Sequence, residues 1–266
     1  MNARDEISRR HLLAAMGCLS LSSHLMAVTV EDKQKLPIVT KRAEKAFKSP
    51  GEHPNALEAV PDGLWILDQA DPNKVHKVSY TDGSVLVEIQ TESIHGSGIA
   101  YGDGALWIAS TNTLKTLKVD PKTGKTLASF DTPGVGYNKF GRNANSINPN
   151  RRMNGAHGLQ WVDGRYWITT PASEKIFLVE PETGRVLRDI PAPGVRPHGL
   201  AWDNGFLWCV ESNDRAIYKL DSKDGKLVAK IQLTNDDPEP HGLAMNNGVF
   251  WYCDAETQAG WVCRLA

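Results

Sequence analysis

Apolar and polar positions alternate with a period of two over short runs, and turn residues separate the runs. Residues 197–234 show this most clearly: 199–202 alternate, Asn204-Gly205 turns, 206–210 form an apolar run, 216–220 alternate, Lys223-Asp224-Gly225 turns, and 227–233 alternate again. Successive side chains of a β-strand point to opposite faces, and Asn-Gly or Asp-Gly pairs between such runs favour tight hairpins. The stretch therefore predicts four short antiparallel strands.

The same pattern recurs along the chain. Asp62-Gly63-Leu64-Trp65, Asp103-Gly104-Ala105-Leu106-Trp107, Asp163-Gly164-Arg165-Tyr166-Trp167, Asn204-Gly205-Phe206-Leu207-Trp208 and Asn247-Gly248-Val249-Phe250-Trp251 share one signature, with Trp spacings of 42, 60, 41 and 43 residues. A four-stranded unit at this period predicts a β-propeller blade. The fold class is all-β: a single propeller of five four-stranded blades, its recurring Trp residues packing between blades. The long spacing holds an insertion at residues 134–155. The last unit stops after three strands, so an N-terminal strand is expected to close the ring and cover the free edges; residues 37–41 have suitable alternation.

Composition adds two exclusions. The 266 residues carry 30 Lys plus Arg against 31 Asp plus Glu, for a formal charge of −1. With no block of basic charge, an electrostatic grip on nucleic acid has nothing to rest on. The 23 Gly and 15 Pro belong to the recurring turns, and no Cys-x-x-Cys spacing points to zinc or redox work. Cys209, Cys253 and Cys263 lie in strand-like runs and read as buried thiols, or as one disulfide with a spare.

Residues 1–27 stand outside the repeat. Ser8-Arg9-Arg10-His11-Leu12-Leu13 opens an apolar run through Leu21 that is too short to span a bilayer, which is the pattern of an export signal. Its paired arginines resemble the twin-arginine class. The expectation is a mature propeller of residues 28–266 located in the periplasm or outside the cell. No second segment is long and apolar enough for a transmembrane span.

The Pro-His-Gly-Leu-Ala opening of residues 197–201, followed by Asn-Gly and an apolar strand with Trp, resembles NHL-type and streptogramin-lyase-like propellers, a group that includes regucalcin and gluconolactonase-like lactonases. The resemblance covers residues 55–266. It implies the fold; these propellers host lyases, hydrolases and pure binding proteins alike.

Aligning the units on Trp exposes two polar columns. Asn55, Ser97, His157, His198 and His241 each lie ten residues before a Trp, at the start of the first strand. First strands line a propeller's channel, so three imidazoles from adjacent blades are expected at one mouth. Asp68, Ser110, Thr170, Glu211 and Asp254 each lie three residues after a Trp, at the end of the second strand, which runs back to the same face. His157, His198 and His241 are the expected ligands of a divalent metal, zinc first and magnesium or calcium after it, in an arrangement that looks like the metal channel of propeller lyases. Glu211 and Asp254 are the expected catalytic acid or base. Asn55, Asp68, Ser97, Arg142 and Arg152 are the expected substrate contacts, the two arginines from a lid-like insertion.

A repeated His-Gly is equally a framework element, as in WD-type blades, although Asn55 and Ser97 break the column where a framework would keep it. Three functions stay open. The first is a metal-dependent lyase or lactonase-type hydrolase acting on a small or peptide-derived substrate. The second is a non-catalytic propeller binding a ligand, or a protein partner through residues 134–155. The third is a glutaminyl-cyclase-like activity.

Overall fold

A computed structural model describes residues 30–139, 152–256 and 260–266. The expected export signal at 1–27 lies outside the described residues, as does Arg142. Among those described, the chain forms five four-stranded antiparallel sheets in sequence order around a ring. Blade 1 holds Pro54–Val60, Gly63–Asp68, Lys74–Val78 and Val85–Gln90; blade 2 holds Gly96–Gly102, Ala105–Ser110, Lys115–Val119 and Thr126–Asp131. Blade 3 holds Gly158–Val162, Arg165–Thr170, Lys175–Val179 and Val186–Pro191; blade 4 holds Pro197–Asp203, Phe206–Glu211, Ala216–Asp221 and Leu227–Gln232. Blade 5 holds Leu243–Asn246, Val249–Cys253 and Trp261–Leu265, completed by Ala43–Lys48.

The turn chemistry explains the hairpins. In blades 2 to 5 both central residues of the first turn take positive φ, as at Asn204 (46°) and Gly205 (92°), the geometry whose twist matches paired strands. The third turn of blade 2 is held by Asp120, whose carboxylate accepts the N–H groups of Lys122 and Thr123.

Apolar burial lies between blades. Five hydrophobic clusters each join two neighbours: Trp65 with Leu106 and Ile108 across blades 1 and 2, Trp107 with Leu159 and Tyr166 across 2 and 3, Trp167 with Leu207 and Tyr218 across 3 and 4, Trp208 with Leu243 and Phe250 across 4 and 5, and Trp251 with Phe47, Leu57 and Ile66 across 5 and 1. The last of these closes the ring. All five recurring Trp residues are buried, as expected. Lys77, Lys118 and Lys219 lie over Trp65, Trp107 and Trp208 at 5.7, 5.4 and 5.3 Å, and each lysine is ion-paired to the Asp of the first turn.

The closing strand is N-terminal, but it is Ala43–Lys48 and not residues 37–41. The reason is Phe47, which pairs opposite Val262 and packs 6.0 Å from the Trp251 ring, filling the space between blades 5 and 1. Ile38 is 61% exposed and supplies no such side chain. Residues 37–39 instead bond in parallel to Lys230 on the outer edge of blade 4. Cys209, Cys253 and Cys263 are free and buried. No helix among the described residues is long and apolar enough to cross a membrane.

Candidate active site at the channel mouth

The glycine that follows four of the five polar column positions, Ala56 standing after Asn55, lets the inner strands approach closely. A Cβ on Gly158 would lie 2.2 Å from the His198 carbonyl oxygen, and one on Gly199 would lie 2.2 Å from the Leu243 nitrogen. Inner strands of adjacent blades thus touch backbone to backbone, and the preceding residues are drawn together at the mouth. Within the repeated His-Gly the glycine makes the contact between blades and the histidine lines the mouth.

There the rings of His157, His198 and His241 pack in series, with centroids 4.9 and 4.7 Å apart. They line a pocket of about 190 Å³ with Asn55, Gln69, His95, Asn138, Asn154, Arg196, Ala255 and Glu256. This is smaller than the roughly 300–1,000 Å³ of a drug-sized site and fits a single residue or fragment.

Hydrogen bonds assign the tautomers. A carbonyl oxygen only accepts, so His198 Nδ1, 3.1 Å from the Arg196 carbonyl, carries the proton. The same nitrogen lies 2.9 Å from Ser212 Oγ, whose own proton goes to the Pro240 carbonyl at 2.6 Å. His198 Nε2 is then an acceptor, and it receives the Nδ1–H of His157 at 3.1 Å. On the other side the Arg196 guanidinium donates to His241 Nε2 at 3.1 Å while His241 Nδ1 faces the Glu239 carbonyl. Arg196 also pairs with Glu239 at 2.7 Å.

Burial holds the imidazoles uncharged. It lowers His157 to about 3, reinforced by His95 and Arg196; it lowers His241 to about 4, reinforced by Arg196; it places His198 well below the ordinary value, with help from its two histidine neighbours. Near neutral pH the imidazoles of the mouth are therefore uncharged.

Blades 1 and 2 supply the uncharged side of the mouth. Asn55 Nδ2 donates to Ser97 Oγ at 3.1 Å, and Gln69 Nε2 lies 3.3 Å from the same oxygen and 2.7 Å from His95 Nε2. His95 adopts a left-handed φ of 58°, held by its N–H on Asn73 Oδ1. Of the expected substrate contacts, Asn55 lines the pocket and Ser97 lies beneath it. Arg152 is exposed and is not among the lining residues. Asn138 and Asn154 bring the insertion to the mouth, its described ends bridged between Gly136 and Asn154.

The carboxylates of the second column hold backbone N–H groups. Asp68 accepts the N–H of His53, Glu211 that of Arg196 at 2.9 Å, and Asp254 those of Glu239 and Glu256. Each fastens the loop entering an inner strand to the end of the second strand. Alternation along the strand explains the placement: of the next residues, Gln69 and Ala255 line the mouth and Ser212 bonds His198 beneath it. Glu211 opens instead on a groove with Lys33 and Asp214, and burial raises its carboxyl to about 7. Neither Glu211 nor Asp254 lines the imidazole pocket.

Nor do the residues fit the three-histidine metal centre. A ligand nitrogen must offer its lone pair, and those of His198 and His241 receive the protons of His157 and Arg196. Among the described residues no three His, Cys, Asp or Glu side chains form a group able to hold a metal ion.

Gln69, Arg196 and Glu256 are mouth residues that the two polar columns do not contain, and His95, two residues before Ser97, joins them. The signal was a further column: His95, Arg196 and Glu239 each stand two residues before the polar column, and Gln69 one after the acidic column.

Fold and mouth together define a five-bladed β-propeller with an imidazole- and amide-lined channel entrance. No family model matches the chain, and no curated protein gives a significant match. Among solved structures, the glutaminyl cyclase of Myxococcus xanthus matches at TM-score 0.63 and 12% identity, over 86% of this chain and 97% of that one. Virginiamycin B lyase from Staphylococcus aureus matches at 0.48 and 19%, over 80% and 66%. BamB from Moraxella catarrhalis matches at 0.40 and 12%, over 79% and 71%. The chain has the fold of the glutaminyl cyclase propeller; at 12% identity that likeness speaks for fold alone.

Proposed function

We propose that the protein is an acid–base enzyme of the channel mouth that cyclises an N-terminal glutamine of a peptide-derived substrate. The observation that carries this reading is the neutral His157–His198 pair, its tautomers fixed by hydrogen bonds, facing side-chain amides in a pocket sized for one residue. The shared fold with a glutaminyl cyclase supports the choice of reaction. The metal-dependent lyase or hydrolase is not preferred, because it needs a ligand set that the imidazoles do not assemble.

In this reaction the substrate α-nitrogen bonds to the side-chain carboxamide carbon, the carbon–NH₂ bond breaks, and a lactam forms. His157 Nε2, the lone-pair nitrogen of its tautomer, takes the proton from the attacking nitrogen and returns it to the leaving one, which departs as ammonia. Work outside the cytoplasm fits the Arg9-Arg10 pattern.

The test is ammonia release and mass loss from a Gln-initiated peptide, with a Glu-initiated peptide as control. Peptide that binds the mouth without ammonia release, at enzyme in excess, sinks the enzymatic reading and leaves a binding propeller.

A further inference from the structure

Asn55 combines three features. It is 2% exposed, it lines the mouth, and its Oδ1 has no hydrogen-bond partner. Native proteins pair nearly all such atoms, so an orphaned one calls for an explanation. Ser97 does not supply it: its oxygen accepts from Asn55 Nδ2 and stands next to Gln69 Nε2, and its single proton goes to the His95 carbonyl at 3.3 Å. This fixes Asn55 with Nδ2 toward Ser97 and Oδ1 turned away from it.

The surroundings narrow what Oδ1 receives. The groups within hydrogen-bond reach on this side are Gln69, His95 and Ser97, none of them a charged side chain, while the carboxylates of Asp71 and Glu256 act on His95 from beyond that contact and Arg196 pairs with Glu239 and Glu256. A cation would meet no charged group in contact with Asn55, and burying an unpaired charge is costly. A primary carboxamide brings N–H donors without charge. Its carbonyl in turn meets His95, whose Nε2 receives the Gln69 amide and whose Nδ1 therefore carries the proton.

We propose that the blade 1 and blade 2 side of the mouth, centred on Asn55 Oδ1, is a binding subsite for a primary carboxamide of the substrate. The inference rests on the reading of the mouth as a cyclase site and deepens it: this side selects the amide, and the imidazoles across from it move the proton.

The experiment measures binding of propionamide, propionate and methylammonium to the full chain by NMR titration, alongside cyclisation kinetics with Gln-initiated peptide. Wild type is expected to bind propionamide in preference to the other two. Asn55→Leu is expected to weaken propionamide binding at least tenfold and to raise KM more than it lowers kcat. Asn55→Asp keeps an acceptor in place and is expected to turn the preference toward methylammonium, which serves if the Leu variant does not fold. Propionamide binding indifferent to both substitutions, or absent from wild type, overturns the subsite, as does a wild-type preference for propionate, which would mean that Nδ2 faces the mouth. Propionamide binding that depends on Asn55 in a protein without cyclase activity overturns the cyclase reading and leaves the subsite standing.

Discussion

His157 donates its Nδ1 proton to His198 Nε2 across 3.1 Å, joining blade 3 to blade 4 at the channel mouth. The direction of that bond depends on Ser212, which with the Arg196 carbonyl keeps the proton of His198 on Nδ1. Ser212→Ala removes one of the two acceptors, so His198 is less firmly held in this tautomer and His157 loses orientation. The expected result is a fall in kcat of about tenfold, below the roughly 10²–10⁴-fold that general acid–base catalysis supplies in full, with KM nearly unchanged and a shifted pH–rate profile. His157→Gln should cost more, and its loss should not add to that of Ser212→Ala in the double variant. Additive losses would show that Ser212 acts independently of the imidazole chain.

The glycines of the inner strands give a stability prediction separable from chemistry. Gly199→Ala places a methyl group 2.2 Å from the Leu243 nitrogen, where only backbone can yield. Overpacking of this kind costs about 1–3 kcal/mol, read as a lower urea midpoint. Gly205→Ala makes a useful contrast, because no atom lies within 4 Å of its Cβ and its φ of 92° is the only strain. Equal midpoints for wild type and Gly199→Ala would mean that the inner strands are not in backbone contact.

Much of this was legible from the chain and some was not, for physical reasons. Trp65 to Trp251 and the Asp-Gly and Asn-Gly turns are local signals that repeat, so the blades, their number and the meeting of His157, His198 and His241 followed from spacing alone. Spacing does not say where an atom points. Glu211 and Asp254 stand at the right end of the right strands, yet pleating turns them to the backbone of Arg196 and Glu239, leaves Ala255 to line the mouth and sets Ser212 against His198. Arg196 was invisible as a site residue because the place two positions before the polar column holds His53, His95, Gly155, Arg196 and Glu239 in turn, and residues so unlike make no repeat. The closing strand was misplaced because alternation alone makes residues 37–41 and 43–48 similar, and only the volume of Phe47 against Trp251 decides between them.

The assigned tautomers bear directly on metal binding. With the His198 and His241 lone pairs occupied by hydrogen-bond donors, the purified protein is expected to hold well under one equivalent of zinc, and added zinc, magnesium or calcium should raise the melting temperature by no more than a bystander ion does. Arg196→Met releases His241 Nε2 and should increase zinc affinity. Stoichiometric zinc in wild type, lost in His157→Gln and His198→Gln, would reverse the assignment.

Glu58 gives the pH dependence. It faces Trp65 across the first hairpin of blade 1, is buried, and has its carboxyl on the Tyr101 backbone N–H; burial raises it to about 8. The unfolded chain releases this proton near the ordinary value of about 4.3, whereas the folded protein keeps it. The stability that Glu58 contributes is therefore complete below the unfolded value and is lost as pH rises through the window up to about 8. Every pH unit by which the folded value stands above the unfolded one is worth about 1.4 kcal/mol, so the loss across the window amounts to several kcal/mol. Glu58→Gln keeps a carbonyl for Tyr101 and never ionises, so urea unfolding should find it close to wild type at pH 4 and clearly more stable at pH 9. A difference between the two proteins that does not change between those pH values would show that Glu58 is already charged in the folded protein at low pH, or that water reaches its carboxyl.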